Sequence, residues 1–271
     1  MAILTELTDL LVYGVDFKNR RIYFGHLESD PESSTEFTQT SVEFAIRALH
    51  RMVTENPNKP VEFHVNSFGG GVYDALRLHD EILACSAQIK FYGGGAIMSA
   101  ATLVMVACDE RYLYVNTRIM IHELSDLVEE ARRSDIKINT QENDTLHKIM
   151  CDIYAANSRM GADFWSDIMS KDVYMSASEA VSIGLCDSIV EPKKRGNLRK
   201  KRQANLKKEI DIKSLVKELY ERTGRTKIPK LELNPIVKEP IDPSIVIDNT
   251  PMPEIEKPVE NLPASDKSDE A

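Results

Sequence analysis

The stretch Ala100-Ala101-Thr102-Leu103-Val104-Met105-Val106-Ala107 carries no charge and a single hydroxyl. As a helix it is apolar on almost every side, so protein has to cover it all round. Just before it stand a short apolar run, Ile89 to Tyr92, and then Gly93-Gly94-Gly95. Strand, glycine junction and buried helix in succession call for a layered α/β structure. The same alternation fills residues 20 to 192. Strands are predicted at Arg21–Gly25, Val61–Val65, Tyr112–Val115, Arg118–Ile121 and Ser188–Val190. Helical spacing marks Thr40–Val53, through Val42, Ala45, Ile46, Leu49 and Val53, and then Val72–Leu83. A long, charge-rich helix is expected over roughly Ser125–Arg159, and a short one over Ser178–Ile183. Parallel strands joined by helical crossovers follow from this order.

Composition narrows the function. With 43 acidic against 34 basic side chains, a net charge of −9 argues against nucleic acid as a main partner. Cys85, Cys108, Cys151 and Cys186 lie far apart and form no Cys-x-x-Cys or Cys/His cluster, so no metal site is expected and a reducing compartment fits best. The N-terminus lacks a basic region ahead of its apolar residues, and no apolar run approaches the roughly 20 residues that span a bilayer. A cytoplasmic protein without membrane contact is the expectation. The composition shifts at Pro192. A basic run follows, Lys193 to Arg202, then a short amphipathic helix over Ile210–Tyr220 with Ile212, Leu215, Val216 and Leu219 on one face, then a Pro- and acid-rich stretch from Pro229. Three parts are therefore expected: a segment 1–19, a domain 20–192, and a largely disordered tail 193–271.

Two glycine-rich strand–helix junctions, Asn66-Ser67-Phe68-Gly69-Gly70-Gly71 and Gly93 to Ser99, carry the candidate chemistry. The first is not a phosphate-binding P-loop, because no Lys-Ser/Thr pair closes it. Such junctions face a shared crevice at the strand ends of an α/β sheet. Ser99 stands at the N-terminus of the buried helix, where negative charge is favoured. It is either a nucleophile there or a plain N-cap. His122 ends the apolar strand Arg118–Ile121, and Asp172 precedes the segment Val173-Tyr174-Met175-Ser176-Ala177-Ser178-Glu179. Each has a bland alternative, a structural histidine and a solvated aspartate.

Taken together these segments resemble the proteolytic subunit of the Clp protease, within the Clp/crotonase superfamily. The family's Asn-Ser-Pro-Gly-Gly lines up with Asn66 to Gly70, and Gly-x-Ala-Ala-Ser-Met with Gly95 to Ala100. Asn-Ser-Arg-Ile-Met-Ile-His lines up with Asn116 to His122, and the Asp-x-Phe-Met-Ser-Ala-x-Glu-Ala segment with Asp172 to Ala180. Phe68 replaces the proline, Ile97 and Met98 replace two small residues, and Ala100 replaces the methionine. The resemblance covers about residues 20 to 192. It implies an α/β, Clp/crotonase-like fold of repeated ββα units with a long handle helix. It also implies a serine endopeptidase with Ser99 as nucleophile, His122 as base and Asp172 as its orienter. The backbone N–H groups of Gly70 and Ala100 would form the oxyanion hole. No cofactor is implied in this chain. ATP would be used by a separate AAA+ unfoldase, and the subunits would form stacked heptameric rings acting on unfolded polypeptide. The handle's Ile136, Ile138, Leu146, Ile149, Met150 and Ile153 suit either ring packing or packing inside the domain. Three rivals share the fold: a bacteriophage head-maturation protease, a non-catalytic ring subunit, and a crotonase-type acyl-CoA enzyme.

Overall fold

A computed structural model gives the fold, and it describes residues 9–10, 13–25, 36–124, 133–190, 210–225, 228–229 and 233–234. The chain begins with β1 (Val15–Asp16), β2 (Arg21–Phe24), β3 (Glu36–Phe37), α1 (Gln39–Glu55), β4 (Val61–Ser67) and β5 (Gly69–Gly70). It continues through α2 (Val72–Leu83), β6 (Ile89–Met98), α3 (Ala100–Ala107), β7 (Glu110–Leu113) and β8 (Arg118–Ile121). Then come α4 (Arg133–Ala156), α5 (Ala162–Ile168), β9 (Val173–Ser176), α6 (Ala177–Ser182), β10 (Ser188–Ile189) and α7 (Ile212–Arg222).

The main sheet runs β1-β2-β4-β6-β7-β10, parallel from β2 onward with β1 antiparallel at its edge. Period-two alternation divides its faces. Ile22, Phe24, Val61, Phe63, Val65, Ile89, Phe91 and Leu113 are buried on one side. The other side carries two ladders in register. Arg21–Glu62 and Lys90–Glu110 are ion pairs at 2.7 and 3.0 Å. Beside them the rings of Tyr23, His64, Tyr92 and Tyr112 stack with centroids 4.9–5.1 Å apart. The helices α1, α2 and α3 cover the apolar face. All eight residues of α3 are buried, as an uncharged helix requires.

The strand expected to stop at Tyr92 runs on to Met98. Its glycines bend it, and the two halves pair with different neighbours. Lys90 to Gly93 pair with β7, whereas Ala96 to Met98 pair with β8. The amide of Ala96 donates to Asn66 Oδ1 at 3.0 Å, and a Cβ on Gly95 (φ +69°) would lie 2.6 Å from that oxygen. Only a residue without a Cβ fits this bend. Through it β6 serves the main sheet and a second small layer, β6-β8-β9, in which β9 is antiparallel to β8.

Capping sets the helix starts. Thr38 and Ser41 form a capping box on α1, and Ser176 with Glu179 forms one on α6. Ser176, directly before α6, is its N-cap. The helix α5 and the strand β9 went unrecognised in the sequence. Both are short, at seven and four residues, and β9 lies in a stretch that reads as a loop. For the long helix, Arg133–Ala156 is observed, and 125–132 fall outside the described residues. Leu146 and Met150 pack inside the domain, whereas Ile136, Ile138 and Ile149 are exposed.

The folded body does not end at Pro192. Leu215, Val216, Leu219 and Tyr220 of α7 are buried, and the Tyr220 ring meets Phe164 of α5 edge-on at 5.8 Å. Tyr220 Oη donates to Asp167 at 3.1 Å. Arg222 donates to Glu179 at 2.6 Å and to the Tyr174 carbonyl at 2.8 Å. The amphipathic face read from the sequence has a partner here, so this helix, within the segment expected to be a largely disordered tail, packs on α5. The remaining tail positions lie almost wholly outside the described residues.

Candidate active site

Ser99 occupies the N-cap position of α3 but does not cap it, because its side chain makes no hydrogen bond to the helix. Its hydroxyl instead meets His122 Nε2 at 2.8 Å. Its backbone adopts φ 50°, ψ −127°, a region that residues other than glycine enter at a cost of about 1–3 kcal/mol. Neighbours hold it there. Ser99 N donates to the Met120 carbonyl of β8 at 2.8 Å, and the Ser99 carbonyl accepts from Thr102 N at 2.9 Å and from Thr102 Oγ1 at 2.6 Å. The strain turns the side chain off the helix and toward the imidazole.

His122 follows directly on β8, and Glu123 N donates to the Met169 carbonyl at 2.8 Å, anchoring the chain just after it. Asp172 immediately precedes β9. Ile121 pairs with Val173, so one register step further places Asp172 across from His122. Sequence and topology thus bring the two residues to one edge. Yet Asp172 is exposed, and no hydrogen bond or ion pair joins it to the ring in this structure. Of the three residues expected to converge, Ser99 and His122 are hydrogen-bonded, and Asp172 stands opposite His122 across the β8–β9 edge without a bond to the ring.

The second glycine junction closes over Ser99. Ser67 Oγ accepts from Gly69 N at 3.1 Å and shapes the turn. Gly69 (φ +122°) lies so close that an added Cβ would stand 2.7 Å from Ser99 Cβ. Gly70 (φ +144°) pairs with Phe37 in β3, and its Cβ would fall 2.4–2.5 Å from the Phe37 backbone. Gly70 and Ala100, the two residues expected to supply amide donors, both border the pocket that holds Ser99 and His122. Ala100 N begins α3, among the first-turn amides that have no helical acceptor.

That pocket has a volume of about 350 Å³. Apart from Ser99 and His122, Val72, Leu103, Leu124 and Met150 make it apolar, with Glu123 as its acidic member. Sequence reasoning did not pick out these lining residues. They come from three helices and the segment after β8, and nothing local in the sequence marks their convergence. In the sequence Asn66 is marked only by its place in a glycine-rich motif; its bond to Ala96 links the two glycine junctions. The thiols offer no rival nucleophile. All four are buried, and burial pushes the Cys151 thiol up to about 11 and Cys186 up to about 12. Among the described residues, no group of three or more His, Cys, Asp or Glu could hold a metal ion, and no helix is long and apolar enough to cross a membrane.

A hydroxyl on a strained turn, an imidazole nitrogen at hydrogen-bond distance and glycine-lined amides at a helix start can support nucleophilic acyl transfer. The sequence model of the Clp protease family matches residues 32–193, more than half of the chain. The chain belongs to the Clp protease family. It is accordingly a peptidase of the Clp type. Among curated relatives, it is 26% identical to the ATP-dependent Clp protease proteolytic subunit 2 of Chlamydia trachomatis serovar D over 185 residues, covering 68% of this chain and 86% of that protein. The part that matches the Clp protease family holds both glycine junctions, Ser99, His122 and Asp172, and stops short of α7.

Proposed function

We propose that this Clp-type peptidase is a serine endopeptidase in which Ser99 is the nucleophile and His122 the general base. The observation that carries the reading is the 2.8 Å hydrogen bond between Ser99 Oγ and His122 Nε2 at the mouth of an apolar pocket. His122 takes the hydroxyl proton as Oγ attacks the peptide carbonyl. The resulting oxyanion is met by Gly70 and Ala100 N–H, each donor worth about 3 kcal/mol in such a site. His122 then gives its proton to the departing amine, leaving an acyl-enzyme. A water molecule attacks that ester, with His122 again as base, and the acid product leaves. Asp172 orients the imidazole once its carboxylate swings onto the ring across the β8–β9 edge.

The working form is a homo-oligomer of stacked heptameric rings in the cytoplasm, fed with unfolded polypeptide by an AAA+ partner that spends the ATP. Exposed Ile136 and Ile138 of α4 support a packing role for that helix. The relative's description as ATP-dependent, and as a subunit, supports both partners. The retained Ser–His bond weighs against a purely architectural ring subunit. Head maturation remains the variant in which the same chemistry acts on a scaffold protein. The test is hydrolysis of a fluorogenic peptide and an unfolded protein by wild type, Ser99→Ala and His122→Ala. Loss of turnover in both variants is expected; a Ser99→Ala protein as active as wild type overturns the reading.

A further inference from the structure

Behind the nucleophile lies a buried pair of hydroxyls that the reaction as described does not use. Thr102 and Tyr154 are both fully buried, and their hydroxyl oxygens stand 2.7 Å apart. Thr102 Oγ1 also lies 2.6 Å from the Ser99 carbonyl oxygen. A carbonyl only accepts, so the single Thr102 hydroxyl proton points to Ser99. Tyr154 Oη must then be the donor to Thr102. Burial drives the Tyr154 pKa upward, so this donor keeps its proton. Tyr154 is itself fixed: its ring packs on Trp165 at 5.1 Å, and Trp165 Nε1 donates to Ser158 Oγ at 3.0 Å.

The Ser99 carbonyl shares one planar trans peptide with the Ala100 N–H, and in that unit C=O and N–H point in opposite directions. Whatever fixes the carbonyl therefore aims the amide. Thr102 N and Thr102 Oγ1 pull the carbonyl toward the interior of α3, which leaves Ala100 N–H directed the other way, at a residue that borders the pocket.

We propose that the Tyr154–Thr102 hydroxyl pair is a positioning device that sets the Ser99–Ala100 peptide plane, and with it the oxyanion-binding amide. The proposal rests on the serine-peptidase reading above. It ties α4 to the reacting centre through two hydrogen bonds, so the register of that helix is felt at Ser99. Neither residue touches substrate. Because the aimed amide meets charge only in the transition state, its misalignment lowers kcat and spares KM.

The test uses the full-length protein with Thr102→Val, which keeps the shape and removes the hydroxyl, Thr102→Ser, which restores it, and Tyr154→Phe as the milder change. With a fluorogenic peptide, Thr102→Val should lose about tenfold or more in kcat with KM within twofold. Thr102→Ser should return to within about threefold of wild type, and Tyr154→Phe should fall between. A crystal structure of Thr102→Val should show Ser99 ψ displaced or residues 99–102 in more than one conformation. That arm judges the proposal even if wild type proves to cleave nothing, a result that would sink the peptidase reading alone. Equal losses in Thr102→Val and Thr102→Ser, an unchanged kcat in Thr102→Val, or a Val variant with the Ser99–Ala100 peptide unmoved and fully ordered overturns it.

Discussion

Gly69→Ala puts one methyl group against the nucleophile. The new Cβ would sit 2.7 Å from Ser99 Cβ and 3.1 Å from the Met98 carbonyl oxygen, whereas ordinary contact begins at 3.4 Å. Ser99 Cβ is bonded to the backbone and cannot rotate away, so the two junctions must part by about 0.7 Å. Taken along the hydroxyl–imidazole direction, that displacement stretches the 2.8 Å Ser99–His122 bond beyond useful length. Misplacement on this scale costs about 10²-fold in rate. The backbone adds its own penalty, since φ +122° is a conformation that alanine adopts at roughly 1–3 kcal/mol. Thermal unfolding should therefore shift down by several degrees while kcat/KM falls much further than the stability loss explains. Fluorogenic peptide hydrolysis and a thermal melt, run side by side, read both quantities. Phe68→Ala, one residue earlier and 65% exposed, is the stability control and should melt within about 0.5 kcal/mol of wild type. A Gly69→Ala enzyme that melts and cleaves like wild type would refute the close approach of the two junctions.

Two further outcomes follow from the same packing. Burial acts to raise the Glu179 carboxyl pKa, but hydrogen bonds from Arg222 and from Ser176 outweigh it and hold the value below the usual glutamate range. A depressed folded-state pKa gives stability that is present above the unfolded value near 4.5 and is lost as pH falls through the folded one. Glu179→Gln should therefore melt earlier than wild type at pH 7, by about 1–2 kcal/mol, with the gap closing toward pH 3; a gap that widens in acid contradicts the pairing. Asn66→Ala removes the acceptor for Ala96 N–H and frees the bend in β6. Peptide turnover should drop about tenfold for a stability loss near 1 kcal/mol, and full turnover in this variant would show that the amide does not brace the strand.

Much of this architecture is written in local patterns. The alternation of Val61 to Val65 and the apolar run of α3 need no tertiary information, and both elements appear where periodicity puts them. Ser99 and His122 were likewise legible, each at the boundary of such an element, and the structure brings them to 2.8 Å. What escaped depends on contacts distant in sequence. The strand β6 continues past its glycines because Asn66 and β8 hold it, and neither is adjacent in the chain. Four residues after a proline-marked composition change look like the amphipathic face of an unsupported helix. Leu215, Val216 and Leu219 of that face are buried together with Tyr220, which packs on Phe164 of α5, while Arg222 of the same helix pairs with Glu179. Asp172 is legible as a motif member, but its carboxylate stands in solvent opposite His122, and a motif carries no information about a side-chain rotamer.

The claim that most depends on geometry is that the hydroxyl at position 99 is activated by the imidazole at position 122. A fluorophosphonate probe, followed by peptide mapping of the modified chain, measures this directly. The account predicts a single adduct on Ser99, formed at least about 10³-fold more slowly in His122→Ala. An adduct on another hydroxyl, or a Ser99 adduct formed at the same rate without the histidine, would contradict it.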